Sequence, residues 1–173
     1  IAYHYSQMLR YYGGMPWIDH AYTAEDEMKF PRMTVEQTVE KIVDLLDEAA
    51  DTLPWEVDAD NDGHLTKAAA IALKSRVLLF AASPLFNADE PYLQGDASAQ
   101  FITWYGNYSA DRWQKALDAG LQFMRENNGR YKLVNTGNPR EDFAAGYFNR
   151  HNGEVLISSR RFTTYMTGKT PFA

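Results

Sequence analysis

The chain has 173 residues, 45% hydrophobic and 23% charged, the composition of an ordinary globular domain rather than a disordered or fibrous one. Lys plus Arg number 17 against 23 Asp plus Glu, a formal charge of -6, which argues against a phosphate-neutralising surface, so no nucleic-acid partner is expected. Zero cysteines remove disulfides, thiolate metal sites and cysteine nucleophiles together, and the longest apolar run, residues 68 to 82, is broken by Lys74, Ser75 and Arg76 and is too short for the roughly 20 residues of a bilayer span.

Ile1 to Tyr12 reads as the body of an amphipathic helix without the regions of a signal peptide, and the chain reads as a single internal segment, 1–173, of a longer protein. Residues 34 to 53 carry the clearest periodicity: Val35, Val39, Ile42, Leu46, Ala49 and Leu53 form one stripe, Thr34 and Gln37 have the capping-box spacing, and Pro54 stops the helix. A further helix is predicted from a Thr66 cap through Ala81, ending before Pro84, and another from Ser109 to about Asn128, with Trp113, Ala116, Leu117, Gly120, Leu121 and Met124 at helical spacing and Trp113 assigned to the core. The alanines and glycine on these faces permit close helix packing. Four helices in this order resemble tetratricopeptide-type pairs, so the fold expected is mainly α, tetratricopeptide-like helix pairs with long loops. Tyr131 to Val134 and Val155 to Ser158 are strand-like runs that predict a minor β element, and nothing predicts a closing helix in Phe162 to Ala173. The connections at 13 to 33 and 84 to 108 exceed idle loop length and are candidate binding surfaces.

Residues 58 to 63 read DADNDG, which puts Asp58, Asp60 and Asp62 at the first, third and fifth positions of a calcium loop, but Ala69 stands where the closing Glu belongs. The three aspartates are therefore candidate calcium ligands, in a loop that a solvated turn explains better. His4, His20, His64 and His151 lack the i, i+4 spacing of a helical zinc site, no G-x-S-x-G turn is present, and Gly13-Gly14 lacks the further glycines and lysine of a phosphate cradle. Aromatic residues make up 14% of the chain and many fall in polar loops. A pyranose stacks its C–H face on a ring while amides and carboxylates take its hydroxyls, so Tyr92, Trp104 and Tyr105, with Asn107 and Asp96 beside them, form the candidate glycan platform. The competing reading packs these rings onto the helices.

Four stretches stand out: Arg10-Tyr11-Tyr12-Gly13-Gly14-Met15-Pro16, Pro31-Arg32-Met33-Thr34-Val35-Glu36, the run from Gly63-His64-Leu65-Thr66-Lys67-Ala68-Ala69 to Ser83-Pro84-Leu85-Phe86-Asn87, and Asn152-Gly153-Glu154-Val155-Leu156-Ile157. Together they resemble the SusD/RagB family of starch-utilisation-type outer-membrane lipoproteins of Bacteroidetes. His64 departs from the more usual Arg. The resemblance implies a SusD-like helical scaffold and a non-catalytic protein of polysaccharide utilisation. It implies lipid anchoring to the extracellular face of the outer membrane through a cysteine upstream of this chain, and delivery of oligosaccharide to a SusC-like TonB-dependent transporter. It transfers no sugar-contacting residue. A tetratricopeptide-like peptide-binding module and a glycoside hydrolase are the readings from other classes.

Overall fold

Thr34 opens the best-signalled helix as expected: its hydroxyl accepts from the Gln37 N–H at 3.2 Å while the Gln37 side chain accepts from the Thr34 N–H at 3.0 Å. These bonds belong to a computed structural model that describes residues 1–18, 20–23, 25, 29–149 and 152–157. His151, Ser158 and the segment from Phe162 to Ala173 lie outside the described residues. The elements are α1 (Ala2–Tyr12), α2 (Val35–Thr52), a 3-10 turn at Ala59–Asn61, α3 (Lys67–Ala81), a one-turn α4 (Asp96–Ala99), α5 (Ala110–Glu126) and α6 (Pro139–Phe148). Thr66 and Ser109 cap α3 and α5 through their hydroxyls, and Asn128 and Gly129 take positive φ beyond the end of α5.

The helix α3 lies between α2 and α5, and α1 packs on α2. This arrangement explains why α3 lacks a polar side over much of its length: Ala68, Ala69, Ala70, Ile71, Leu73, Val77 and Ala81 are all buried. On α2 the buried face is Val35, Thr38, Val39, Ile42, Leu46 and Ala50. Ile42 is fully enclosed, a burial worth about 1.5–3 kcal/mol. Small residues set the α3–α5 approach, with Ala116 and Ala119 buried and the Ser75 hydroxyl donating to the Ala116 carbonyl at 3.4 Å.

On α5 Trp113, assigned to the core, turns outward with the other large side chains of its stripe, while Ala116 of that stripe is buried. Trp113 is 40% exposed, and Leu117, Leu121 and Met124 are exposed as well, because the side of α5 that meets α3 is the one bearing Ala116 and Ala119. The C-terminal runs also differ from expectation: no strand forms among the described residues, and Lys132 donates to the Gly153 carbonyl at 3.0 Å in an irregular pairing. The helix α6 was not foreseen, since it buries no residue and so has no apolar periodicity. Its signals are the Asn138 cap, Pro139 in its first turn, and Glu141 and Asp142 at its positive end. No helix among the described residues is long and apolar enough to cross a membrane.

The Gly13-Gly14 pair does more than turn the chain. Gly14 N–H donates to the Ile102 carbonyl at 2.7 Å, Met33 N–H to Met15 at 3.1 Å, and Val35 N–H to Phe101 at 2.9 Å, so the end of α1, the strap before α2 and the loop at 101–103 meet at one junction. Arg32 clamps it by donating to the carbonyls of Gly14, at 2.8 Å, and Tyr12. The fully buried Thr38 hydroxyl accepts from Met15 N–H and donates to the Thr34 carbonyl. Two of the motifs that carried the family resemblance are thus two sides of one contact.

Candidate functional site

The connection between α3 and α5 is folded against the scaffold by a few polar anchors. Asn87, buried at 2% exposure, donates to the Ala82 and Ser109 carbonyls and accepts from the Ser109 N–H and the Arg112 guanidinium. Phe86 and Ile102 fill the space beneath. Trp104 is 9% exposed and its indole N–H donates to the Ser98 carbonyl at 2.9 Å, so this ring is a structural anchor of the loop and its faces are not presented to solvent. The expected platform is therefore divided. Tyr92 stands outward at 89% exposure, and Asp96 opens α4 on the surface. Asn107 is exposed, yet both its oxygens accept from Arg112 at 2.8 Å.

Tyr105 occupies a different place. It is half-buried among the core side chains, and the Arg112 guanidinium lies 3.9 Å from its ring centroid. Burial pushes its phenol well above the ordinary range, with Glu36 and Glu40 adding to the rise against the opposing charge of Arg112. The phenol stays a proton donor at any physiological pH. Tyr105 lies on a cavity of about 620 Å³, a groove between α2 and α5. Glu36, Glu40 and Asp44 form one side and Arg112, Lys115, Asp118 and Arg125 the other, over Val39, Val43 and Leu78. Of the five predicted glycan residues only Tyr105 lines it. Sequence reasoning passed over this groove because its charges read as the solvated faces of two separate helices, and only their packing on α3 sets them opposite each other.

The remaining loop aromatics mostly follow the packing alternative. Trp17 stacks on Tyr5 at 4.4 Å, while the Tyr5 hydroxyl donates to the Pro16 carbonyl and accepts from Ile18 N–H. Trp55 packs near Phe123, with Lys67 and Arg130 over its ring at 6.0 and 5.5 Å. Tyr108 is 51% exposed, and Phe143, Tyr147 and Phe148 project from α6.

At the aspartate loop, the Asp58 carboxylate accepts from the backbone N–H and the side-chain amide of Asn61, at 2.9 and 2.8 Å. Those two bonds hold its pKa below the usual value. No group of three or more His, Asp or Glu among the described residues is gathered closely enough to hold a metal ion, so the donor set for calcium is not assembled by Asp58, Asp60 and Asp62. The carboxylate of Asp58 instead caps the 3-10 turn. A group with a lowered folded pKa stabilises above its unfolded pKa and loses that contribution as pH falls through the folded value. Asp58→Ala is thus expected to lower the thermal midpoint at pH 7 and to converge with the wild type toward pH 2. Calcium is expected to leave the midpoint of both unchanged, and a calcium-dependent rise in the wild type alone would show that the aspartates close on an ion.

Residues 1–79 match the SusD-like family described as "Starch-binding associating with outer membrane". No curated protein matches the chain. Among solved structures, a SusD-like protein from Bacteroides fragilis NCTC 9343 is similar over 92% of this chain and 25% of its own length, with TM-score 0.68 and 23% identity. The protein BT4246 is similar over 76% of this chain and 24% of its own, with TM-score 0.65 and 30% identity. A SusD-like carbohydrate binding protein, also from Bacteroides fragilis NCTC 9343, shares the fold over 76% of this chain and 20% of its own, at TM-score 0.53 and 17% identity. The chain spans about a quarter of the length of the structures it matches. The sequence match to the SusD-like family spans α1, α2 and most of α3, and it is carried on the helical scaffold that SusD-like solved structures share.

Proposed function

We propose that the protein binds starch-type or related glycans at the extracellular face of the outer membrane, where a lipid anchor holds it, and delivers them unaltered to a SusC-like TonB-dependent transporter. The observation that carries this reading is the match of residues 1–79 to a family described as starch-binding and associated with the outer membrane. One of the solved neighbours is itself described as a carbohydrate binding protein. The surface has rings to offer: Tyr92 and Tyr108 expose theirs on the loop that Asn87 and Trp104 anchor, with the Asp96 carboxylate on the same connection.

The test is a titration of the full-length protein against soluble starch, maltooligosaccharides and a panel of other polysaccharides, with release of reducing ends followed in parallel. Saturable binding to one glycan class without new reducing ends is the expected result, and product release would replace the reading with a hydrolase. Tyr92→Ala removes an exposed side chain and is expected to leave the fold intact. Binding should weaken by about 1–2 kcal/mol, roughly tenfold. An unchanged affinity would take Tyr92 out of the site.

A further inference from the structure

We infer that the groove over α3, between α1 and the start of α5, docks a segment of a partner protein in which acidic residues stand beside bulky apolar ones. The helix α1 packs on α2 and α5 packs on α3, which leaves a space of about 380 Å³ open between them. Leu9, Leu73 and Val77 are buried at its floor, Phe80 is half-buried, and Leu79 and Trp113 are exposed at its edge. The charged side chains lining it, among the described residues, are Arg10 and Arg76, and both are exposed. Neither forms an ion pair among the described residues. Arg10 donates to the Gln7 side chain at 3.4 Å, and its guanidinium lies 5.6 Å from the Phe80 ring centroid, which sets one cation directly against the apolar wall.

The rim of this groove carries one sign. Neither α1 nor α3 contains a single Asp or Glu, in a chain whose net charge is -6. On α5 the acid nearest Trp113 in sequence is Asp111, two residues before it and so about 200° around the helix. The two lysines of α3 are already paired, Lys74 with Asp47 at 2.6 Å and Lys67 with Glu126 at 3.3 Å. Arg10 and Arg76 are therefore the uncompensated cations beside an apolar floor, and their complement is a carboxylate, which a guanidinium fork binds through two parallel bonds, carried next to a leucine or an aromatic ring. A neutral sugar would leave both charges unmatched. A bilayer is entered by apolar side chains that project, whereas Leu9, Leu73 and Val77 are recessed. The exposed apolar surface also continues one turn along α5 from Trp113 to Leu117, beyond the groove itself, which suits a polypeptide segment better than a small organic acid. This surface stands apart from the glycan reading and does not depend on it.

The experiment measures fluorescence anisotropy of labelled peptides on the full-length protein at low and high salt. The first peptide is built from Glu, Leu and Phe; in the others its Glu residues become Gln, its Glu residues become Lys, or its apolar residues become Ser. The first is expected to bind about tenfold tighter than each of the others, with the advantage shrinking at high salt. Its advantage over the Gln peptide should vanish in Arg10→Gln/Arg76→Gln, whereas Leu79→Ser should weaken both peptides alike. Circular dichroism is expected to be unchanged in both variants, because all three side chains are exposed. Saturating maltooligosaccharide and vesicles of phosphatidylglycerol with phosphatidylcholine are expected to leave peptide binding unaffected. Equal binding of the Lys peptide, full affinity in the double arginine variant, displacement by sugar or vesicles, or no binding because the protein's own chain fills the groove would each overturn the proposal.

Discussion

Gly13→Ala is expected to destabilise the protein by about 3 kcal/mol or more, a fall of the thermal midpoint of roughly 6–12 °C. Two separate penalties add. The residue sits at φ 74 and ψ -136, a conformation that residues with a Cβ avoid. A Cβ there would also lie 2.3 Å from the Ile102 carbonyl oxygen, well inside contact distance and against backbone that three hydrogen bonds hold in place. Gly129→Ala separates the two terms. That glycine has the same φ of 74 but nothing within 4 Å of the added carbon, so its replacement is expected to cost only about 1–2 kcal/mol. Equal losses at the two positions, measured by denaturant unfolding, would mean that the junction of α1 with the 101–103 loop relaxes at little cost.

Trp104→Ala is expected to cost about 3–5 kcal/mol, as for other large-to-small changes in a core. The indole fills the space under the 92–108 loop, and its N–H donates to the Ser98 carbonyl, which also accepts from the Phe101 N–H. Trp104→Phe keeps most of the volume but removes that donor, and is expected to cost about 1–3 kcal/mol. Loss of glycan binding in Trp104→Ala would therefore report a loosened loop rather than a lost stacking contact, whereas Tyr92→Ala tests a ring that carries no packing. If Trp104→Ala unfolds at the wild-type denaturant midpoint, the ring is not the anchor of the loop.

The difference between these two tyrosine and tryptophan positions shows where reading the chain as a string succeeds. Thr34, Thr66 and Ser109 were recognisable as caps, and the α2 stripe as a buried face, because capping and amphipathic periodicity are set by residues three or four apart. The family motifs were legible for the same reason, since Arg32, Gly14 and Thr38 are individually conspicuous in a short stretch. Their partnership was not, because Arg32 meets Gly14 only after the strap before α2 folds back beside the end of α1. Trp113 was misassigned because a helix can carry two stripes, one large and one small, and periodicity does not say which of them a neighbour covers. The small stripe of Ala116 and Ala119 was the one that α3 could approach closely.

The order and boundaries of α1, α2, α3 and α5, the absence of thiol chemistry and the SusD-like resemblance were determined by the sequence alone, through short-range spacing and composition. Only the tertiary structure decided that Trp104 anchors a loop while Tyr92 faces solvent, that the Asp58 carboxylate caps its own turn, and that charged edges of α2 and α5 face each other across a groove. The physical reason is common to all three. Burial, hydrogen-bond partner and electrostatic surroundings belong to pairs of residues brought together across tens of positions, and no local pattern in the chain encodes which pairs will meet.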